Sequence, residues 1–264
     1  MIDADATIAA LTLRADRTAL LVDFDGSLSA IVERSEDARP LEGVTDVLAR
    51  LSAGLGRVAV VSGRPVGFLA RHLPVDGLTY VGLYGMEQST DGVYAVDQRV
   101  EPYLVAVAAA TAELERRLPK ELVEPKSGIS VTLHWRPMPE QADHIVEVAR
   151  EVGAKHGLAE LKTRMAIELR PPIEVDKGNP TSALVEGFDV GAFAGDDYGD
   201  LPAFAALARA VDEGKLTRAV RIGVTSPEAP PELADAVDIV VDGPPGLLAL
   251  LTRVADEIGE PVGG

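Results

Sequence analysis

The chain has 264 residues, 47% hydrophobic and 25% charged, a globular balance that excludes disorder as the main state and gives one large domain or two small ones. Its 42 acidic residues outnumber the 25 basic ones for a net charge of −17, with no Lys/Arg run, which sets the surface against nucleic acid and anionic membranes. Cysteine is absent and no two of the four histidines stand four apart, so disulfides, thiolate nucleophiles and a zinc-binding helix are excluded.

In chain order, the first residues carry early acids and no basic-then-apolar leader, and no apolar stretch approaches the roughly 18 residues of a membrane span. The expectation is a soluble cytoplasmic protein. Ala19–Val22 is a continuous apolar run, as suits a parallel strand buried on both faces. A helical pattern follows over 41–53, then a second apolar run, Val58–Val61, closed by Ser62-Gly63-Arg64-Pro65. Pro65 suits the first position of a helix to about His72, and a short strand is expected over 80–83. This strand–helix rhythm predicts an α/β fold with a Rossmann-like parallel sheet.

The middle reads differently. Helical patterns cover 101–118 and 140–155, and Ile129–Arg136 and Met165–Arg170 alternate apolar and polar residues. Period-2 alternation predicts a sheet covered by the helices on one face and open on the other, with Thr132, His134, Arg136, Glu168 and Arg170 on the open side. Trp135 falls on the covered face. After Pro171-Pro172 the first style returns: helix from about Gly178, strand 192–194, helix 201–211, strands 219–224 and 239–241, helix 245–258. The predicted organisation is a core of residues 1–99 and 173–264 with an inserted α/β cap over 100–172.

Four segments carry chemistry, each at a predicted strand end or helix start. Asp23-Phe24-Asp25-Gly26 leaves the first strand, and Gly26 allows the turn that faces both carboxylates to one centre. Ser62-Gly63-Arg64 offers a hydroxyl and backbone N–H groups, a seat for phosphate. Lys177 stands at a helix start, where cation and helix terminus together attract an anion. The cluster Asp196, Asp197 and Asp200 repels itself unless a cation is bound.

In this order the segments resemble the four motifs of haloacid-dehalogenase-like phosphatases, and specifically the trehalose-6-phosphate phosphatase family. The resemblance runs through residues 23–40, VVSGRP at 60–65, SGISVTLHWR at 127–136, ELRPPIEVDKG at 168–178 and GDDYGDLPAF at 195–204. It implies Asp23 as nucleophile forming an aspartyl-phosphate, and Asp25 as the acid that protonates the leaving sugar oxygen and the base that activates water. It further implies Mg²⁺ held by Asp23, the Asp25 carbonyl and Asp196, with Ser62 and Lys177 on the phosphoryl oxygens and Asp197 and Asp200 orienting this set. Gly26, Gly63 and Arg64 complete the implied phosphate end. Lys126, His134, Arg136, Glu168, Arg170 and, from the core side, Glu87 are its implied sugar contacts.

Two departures stand out. The family's G-x-H-G-x-E reads Gly82-Leu83-Tyr84-Gly85-Met86-Glu87 here, with Tyr for His, and Gly199, Leu201 and Pro202 replace Thr, Glu and Asp in the last motif. The implied activity is Mg²⁺-dependent hydrolysis of trehalose 6-phosphate, with a functional link to a trehalose-phosphate synthase. The alternatives are a phosphatase for another phosphorylated sugar or pseudo-disaccharide, favoured by Tyr84, and a catalytically silent regulatory domain. Retention of Asp23, Asp25, Ser62, Lys177 and Asp196 speaks against silence. A phosphoglucomutase-like transfer is a remoter option. The cap is expected to hinge over the core at its two connections.

Overall fold

Five consecutive buried positions, Thr18–Val22, form a central strand of an eight-stranded sheet, and the rest of the first unit is built outward from it. The computed structural model describes residues 3–32, 35–163, 165–226 and 229–259; residues 33–34 of the first motif segment lie outside these. The elements up to the first connection are α1 (Ala4–Thr12), β1 (Thr18–Val22), α2 (Val44–Gly54), β2 (Arg57–Val61), α3 (Val66–His72), β3 (Leu78–Gly82), β4 (Glu87–Thr90) and β5 (Val93–Val96). Next come α4 (Leu104–Arg117), β6 (Val123–Lys126), β7 (Ser130–His134), α5 (Ala142–His156), β8 (Ala159–Thr163) and β9 (Ala166–Arg170). The last stretch holds α6 (Gly178–Leu184), β10 (Val190–Gly195), α7 (Leu201–Asp212), β11 (Arg218–Val224), α8 (Leu233–Ala236), β12 (Ile239–Val241) and α9 (Gly243–Gly259).

The chain divides into two compact units, Met1–Ala95 with Val175–Gly264, and Val96–Glu174. In the first, the strand order is β12-β11-β10-β1-β2-β3-β4-β5, parallel from β12 to β3 and antiparallel at β3–β4. Alternate side chains of β1 enter two cores. Leu20 and Val22 pack with α1, α2, α3 and α9, while Ala19 and Leu21 pack with α6, α7 and α8. Strand order reverses between β1 and β10: one half of the chain runs from β1 out to β3, the other from β10 out to β12. That crevice is where an open α/β sheet binds its ligand.

The second unit is an antiparallel sheet, β6-β7-β9-β8, with α4 and α5 on one face. Val131, Leu133, Ile167 and Leu169 point to the helices, in the phase the alternation predicts, and Trp135 packs against that core. The expectation of an open polar face needs correction at its centre: Thr132 and Glu168 are buried. Alternation assigns a side chain to a face and says nothing of what lies over it. Pro65 is likewise the residue that precedes α3 and not its first helical position, with an extended ψ of 145°. The strand expected over 80–83 starts earlier and stops at Gly82, because Leu83 and Tyr84 both turn left-handed, at φ 50° and 59°.

Candidate active site

The register of β1 on β10 pairs Val22 with Ala194, so the next residues along, Asp23 and then Asp196, leave the sheet side by side at the crevice. The Asp23 N–H donates to the Ala194 carbonyl at 2.9 Å, which fixes its backbone at the strand end. Gly26 follows with φ 80°, and the space a Cβ would take there is filled by the Asp196 carboxylate. Only glycine lets the first-motif loop lie this close to the last motif.

Lys177 lies at the head of α6 and is 3% exposed. Its Nζ sits 2.7 Å from Asp23 Oδ1 and 2.7 Å from Asp200 Oδ1. Burial alone would lower the ammonium pKa, yet Asp200 and Asp23 outweigh it and hold that pKa well above the ordinary lysine value. Asp23, Asp196 and Asp200 each offer an oxygen within 4.8 Å of the others. Burial first, opposed by Lys177, pushes Asp23 and Asp200 up. Burial and the repulsion of Asp200 and Asp197 lift Asp196 to about 7, against a hydrogen bond from Ser226. One ammonium cannot neutralise this much buried carboxylate, and a hard divalent cation is the group that would.

The donor set discriminates among the three. Asp200 has both oxygens engaged: Oδ1 on Lys177, Oδ2 accepting the N–H groups of Asp196 and Asp197 at 2.8 and 3.0 Å. Asp196 Oδ1 is buried without a hydrogen-bond partner among the described residues. An orphaned, desolvated carboxylate oxygen beside two further acids fits a cation. Asp197 turns the other way and accepts the Gly199 N–H at 2.8 Å, closing the short turn that holds Asp200 in place.

Ser62 is buried at the end of β2, and its Oγ accepts the Arg64 N–H at 3.1 Å, so its hydroxyl hydrogen remains to be donated. The Ser62 N–H itself is spent on the Val81 carbonyl. Gly63 is packed by the Tyr84 side chain, whose hydroxyl lies 2.7 Å from where a Cβ would stand. Arg64 grips Asp25 with both arms of its guanidinium, Nε to Oδ2 and Nη2 to Oδ1, each at 2.7 Å. Glu87 has both oxygens engaged inside the unit: Oε1 accepts the Val66 N–H at the start of α3, and Oε2 accepts the Tyr94 hydroxyl, both at 2.6 Å.

In the second unit Glu168 Oε2 receives Lys126 Nζ and Thr132 Oγ1 at 3.4 Å, and Oε1 has no partner among the described residues. His134 Nε2 pairs with Glu124 at 2.6 Å. Arg170 ends β9 and Arg136 follows β7. The sequence reading missed Ser226, which bonds Asp196, along with Glu124 and Tyr94. Ser226 follows β11, the neighbour of β10, so the rule that strand ends face the crevice was the signal available for it.

The fold is of the haloacid-dehalogenase type, a mostly parallel α/β sheet whose strand ends meet at this crevice. A structure described as a haloacid dehalogenase-like hydrolase from Bacteroides thetaiotaomicron covers 90% of this chain at TM-score 0.60 and 15% identity, a likeness of fold alone. The trehalose-phosphatase family profile matches residues 21–230, and the chain belongs to that family. A Mycobacterium leprae trehalose-phosphate phosphatase is 32% identical over 225 residues, 79% of this chain and 52% of that protein. The chain thus spans about half the length of that curated relative. The C-terminal domain of a Candida albicans trehalose-6-phosphate phosphatase superposes at TM-score 0.73 and 18% identity, covering 97% of each chain. Among the described residues, no helix is long and apolar enough to cross a membrane.

Proposed function

We propose that the chain hydrolyses a sugar phosphate, trehalose 6-phosphate first among the candidates, through a phosphorylated Asp23. The observation that carries the reading is the buried Lys177 bridging Asp23 and Asp200 at the crevice, with the orphaned Asp196 Oδ1 in the same cluster. Family membership supports the substrate class.

With Oδ1 held on the ammonium, Asp23 attacks phosphorus through Oδ2, and the fixed carboxylate needs no reorganisation to do so. Lys177 and the Ser62 hydroxyl bind phosphoryl oxygens and meet the negative charge that spreads over them. Asp25 gives a proton to the leaving sugar oxygen, then takes one from the water that attacks the aspartyl-phosphate. Asp23, Asp196 and the Asp25 main-chain carbonyl would hold Mg²⁺, with Asp200 and Ser226 setting the carboxylates. When bound, the ion neutralises the buried acids and polarises the phosphoryl group. A dianionic substrate then meets a local cationic seat in a protein of charge −17.

Tyr84 favours a second reading within the same chemistry. It replaces the family's His and lies against Gly63 in the phosphate-seat turn, so a phosphorylated sugar other than trehalose 6-phosphate is the alternative substrate. The second unit is read as the cap that selects the sugar, using Lys126, Glu168, Arg170, Arg136 and His134; a functional link to a synthase and a cytoplasmic site are parts of the same proposal.

Phosphate release from trehalose 6-phosphate, sucrose 6-phosphate, glucose 6-phosphate and mannose phosphates, with and without Mg²⁺, tests it. The expected result is Mg²⁺-dependent turnover of one of these, reduced at least about 10³-fold in Asp23→Asn. Turnover retained in Asp23→Asn, or none on any ester, would sink the reading.

A further inference from the structure

One interaction at the site has no place in the scheme above. Asp25, with its side chain 38% exposed, is gripped through both oxygens by an Arg64 whose side chain is only 11% exposed. Fork-on-carboxylate pairing is the strongest and most directional contact arginine makes. Arg64 is itself immobilised. A further guanidinium nitrogen donates to the Ser35 carbonyl, and the guanidinium carbon stands 4.6 Å from the Phe68 ring centroid. Phe68 in turn meets Phe24, the residue between the two motif aspartates, edge-on at 5.6 Å.

The turn that carries Arg64 is pinned as well. Leu83 N–H donates to the Arg64 carbonyl at 3.2 Å, Tyr84 N–H to the Ser62 carbonyl at 3.1 Å, and Val66 N–H to Glu87 Oε1 at 2.6 Å. The first two donors are the left-handed residues Leu83 and Tyr84. A non-glycine residue held there costs about 1 kcal/mol or more and persists only where its surroundings over-determine it. Strain of this kind beside a candidate catalytic carboxylate fits a part built to aim it.

The hydrogen-bond inventory says which form of Asp25 is aimed. Two N–H donors occupy one site on each oxygen, an arrangement that a charged carboxylate accepts more strongly than a neutral acid does, since a protonated oxygen is the weaker acceptor. We propose that Arg64 is a positioning residue for Asp25 in the second half of the reaction, holding the carboxylate to receive a proton from the water that hydrolyses the aspartyl-phosphate. The inference rests on the phosphatase reading. In the first half Asp25 surrenders its proton to the leaving oxygen and the fork closes on it. In the second half the water oxygen bonds to phosphorus, one water proton passes to Asp25, and the phosphorus–oxygen bond to Asp23 breaks with its electron pair returning to Asp23. Inorganic phosphate departs, and the fork holds the protonated Asp25 less tightly than the carboxylate.

The test uses p-nitrophenyl phosphate with Mg²⁺ on the full chain, the wild type beside Arg64→Met, which keeps a long stem over Phe68, and Arg64→Lys. Nitrophenolate leaves without a proton and carries no sugar hydroxyls, so kcat/KM reports formation of the aspartyl-phosphate while kcat includes its breakdown. In Arg64→Met kcat should fall roughly 10–100-fold, part of what a full acid–base contribution supplies, with kcat/KM within about threefold of wild type. Nitrophenolate should appear in a burst approaching one per protein, with phosphoprotein accumulating on acid quench. Arg64→Lys should recover part of kcat and shrink the burst. Should Arg64→Met melt early, the same split read in Arg64→Lys decides.

Equal losses in kcat and kcat/KM would mean general disorder of the site and overturn the proposal. Unchanged kinetics on nitrophenyl phosphate with a raised KM on the sugar phosphate would make Arg64 a sugar contact, and overturn it too. A wild type inactive on every ester fails the phosphatase reading first, and the proposal with it.

Discussion

Two residues at the crevice have opposite energetic signs. Asp196 contributes a buried carboxylate with one oxygen unanswered and a pKa lifted to about 7 by burial. Asp196→Asn removes a repelling charge, so without metal it should melt above the wild type. Mg²⁺ should raise the wild-type melting temperature, by about 2.7 kcal/mol of linkage at 100 times its dissociation constant, and leave Asp196→Asn unmoved. Calorimetry with and without Mg²⁺ checks both, and an equal Mg²⁺ shift in the two proteins would remove Asp196 from the cation's ligands. Lys177 is the reverse case, since its ammonium pairs with both Asp23 and Asp200. Lys177→Met should cost about 3–5 kcal/mol in urea unfolding, the penalty of a buried pair stripped of one partner. A loss under about 1 kcal/mol would mean that the acids shed their charge unaided. The sequence marked all of these residues because four such segments, each at a strand end or helix start, follow one another in the order of the family's motifs. The family resemblance, and not spacing, separated Asp196 as a metal ligand from Asp197 and Asp200, since which carboxylate turns inward depends on the Asp197–Asp200 turn.

At the scale of elements, the apolar runs of β1, β2 and β10 were legible because both faces of a central parallel strand are buried, so the run is continuous and short. The β4–β5 ribbon was not, since Glu87–Thr90 is polar and Val93–Val96 is a short exposed edge. α1 was not legible although Asp3 accepts the Ala6 N–H as its cap, because Ala4–Thr12 is mostly alanine and threonine with no clear apolar stripe. Glu87 shows what a motif letter conceals. The resemblance makes it a sugar contact, while its carboxylate starts α3 and anchors Tyr94, whose phenol pKa burial and this acid both raise. Glu87→Ala should therefore lower stability by about 1–3 kcal/mol with no sugar present, the cost of the buried Val66 N–H left unpaired. A chemical-denaturation midpoint equal to wild type would restore Glu87 to the sugar.

At the scale of the molecule, the second unit is tied across α4 and α5 by Glu113, which accepts Lys155 at 2.7 Å and His156 at 3.1 Å. Hydrogen bonding from Lys155, then His156, lowers its pKa from 4.5 to about 2. A depressed acid stabilises above its unfolded pKa and loses that contribution as the pH falls through its folded one. The melting-temperature gap between wild type and Glu113→Gln should thus be full above about pH 4.5 and close toward pH 2; a gap constant over that range would refute the assignment. The change of periodicity along the chain, from continuous apolar runs to alternation and back, was legible. The burial of Thr132 and Glu168 was not, since period-2 patterning carries no information about what covers a face.

The strand seam between β1 and β10 has a temporal consequence. Arg17 and Asp189, the ion pair at its foot, are 172 residues apart, with the whole second unit strung between them. Asp23 is synthesised before the second unit, and Lys177, Asp196, Asp200 and Ser226 only after it. A nascent chain therefore carries Asp23 long before it has the cationic partner and acids that surround it. The seam closes over a long loop before the crevice exists, a closure that places β1–β10 pairing among the slower events of folding.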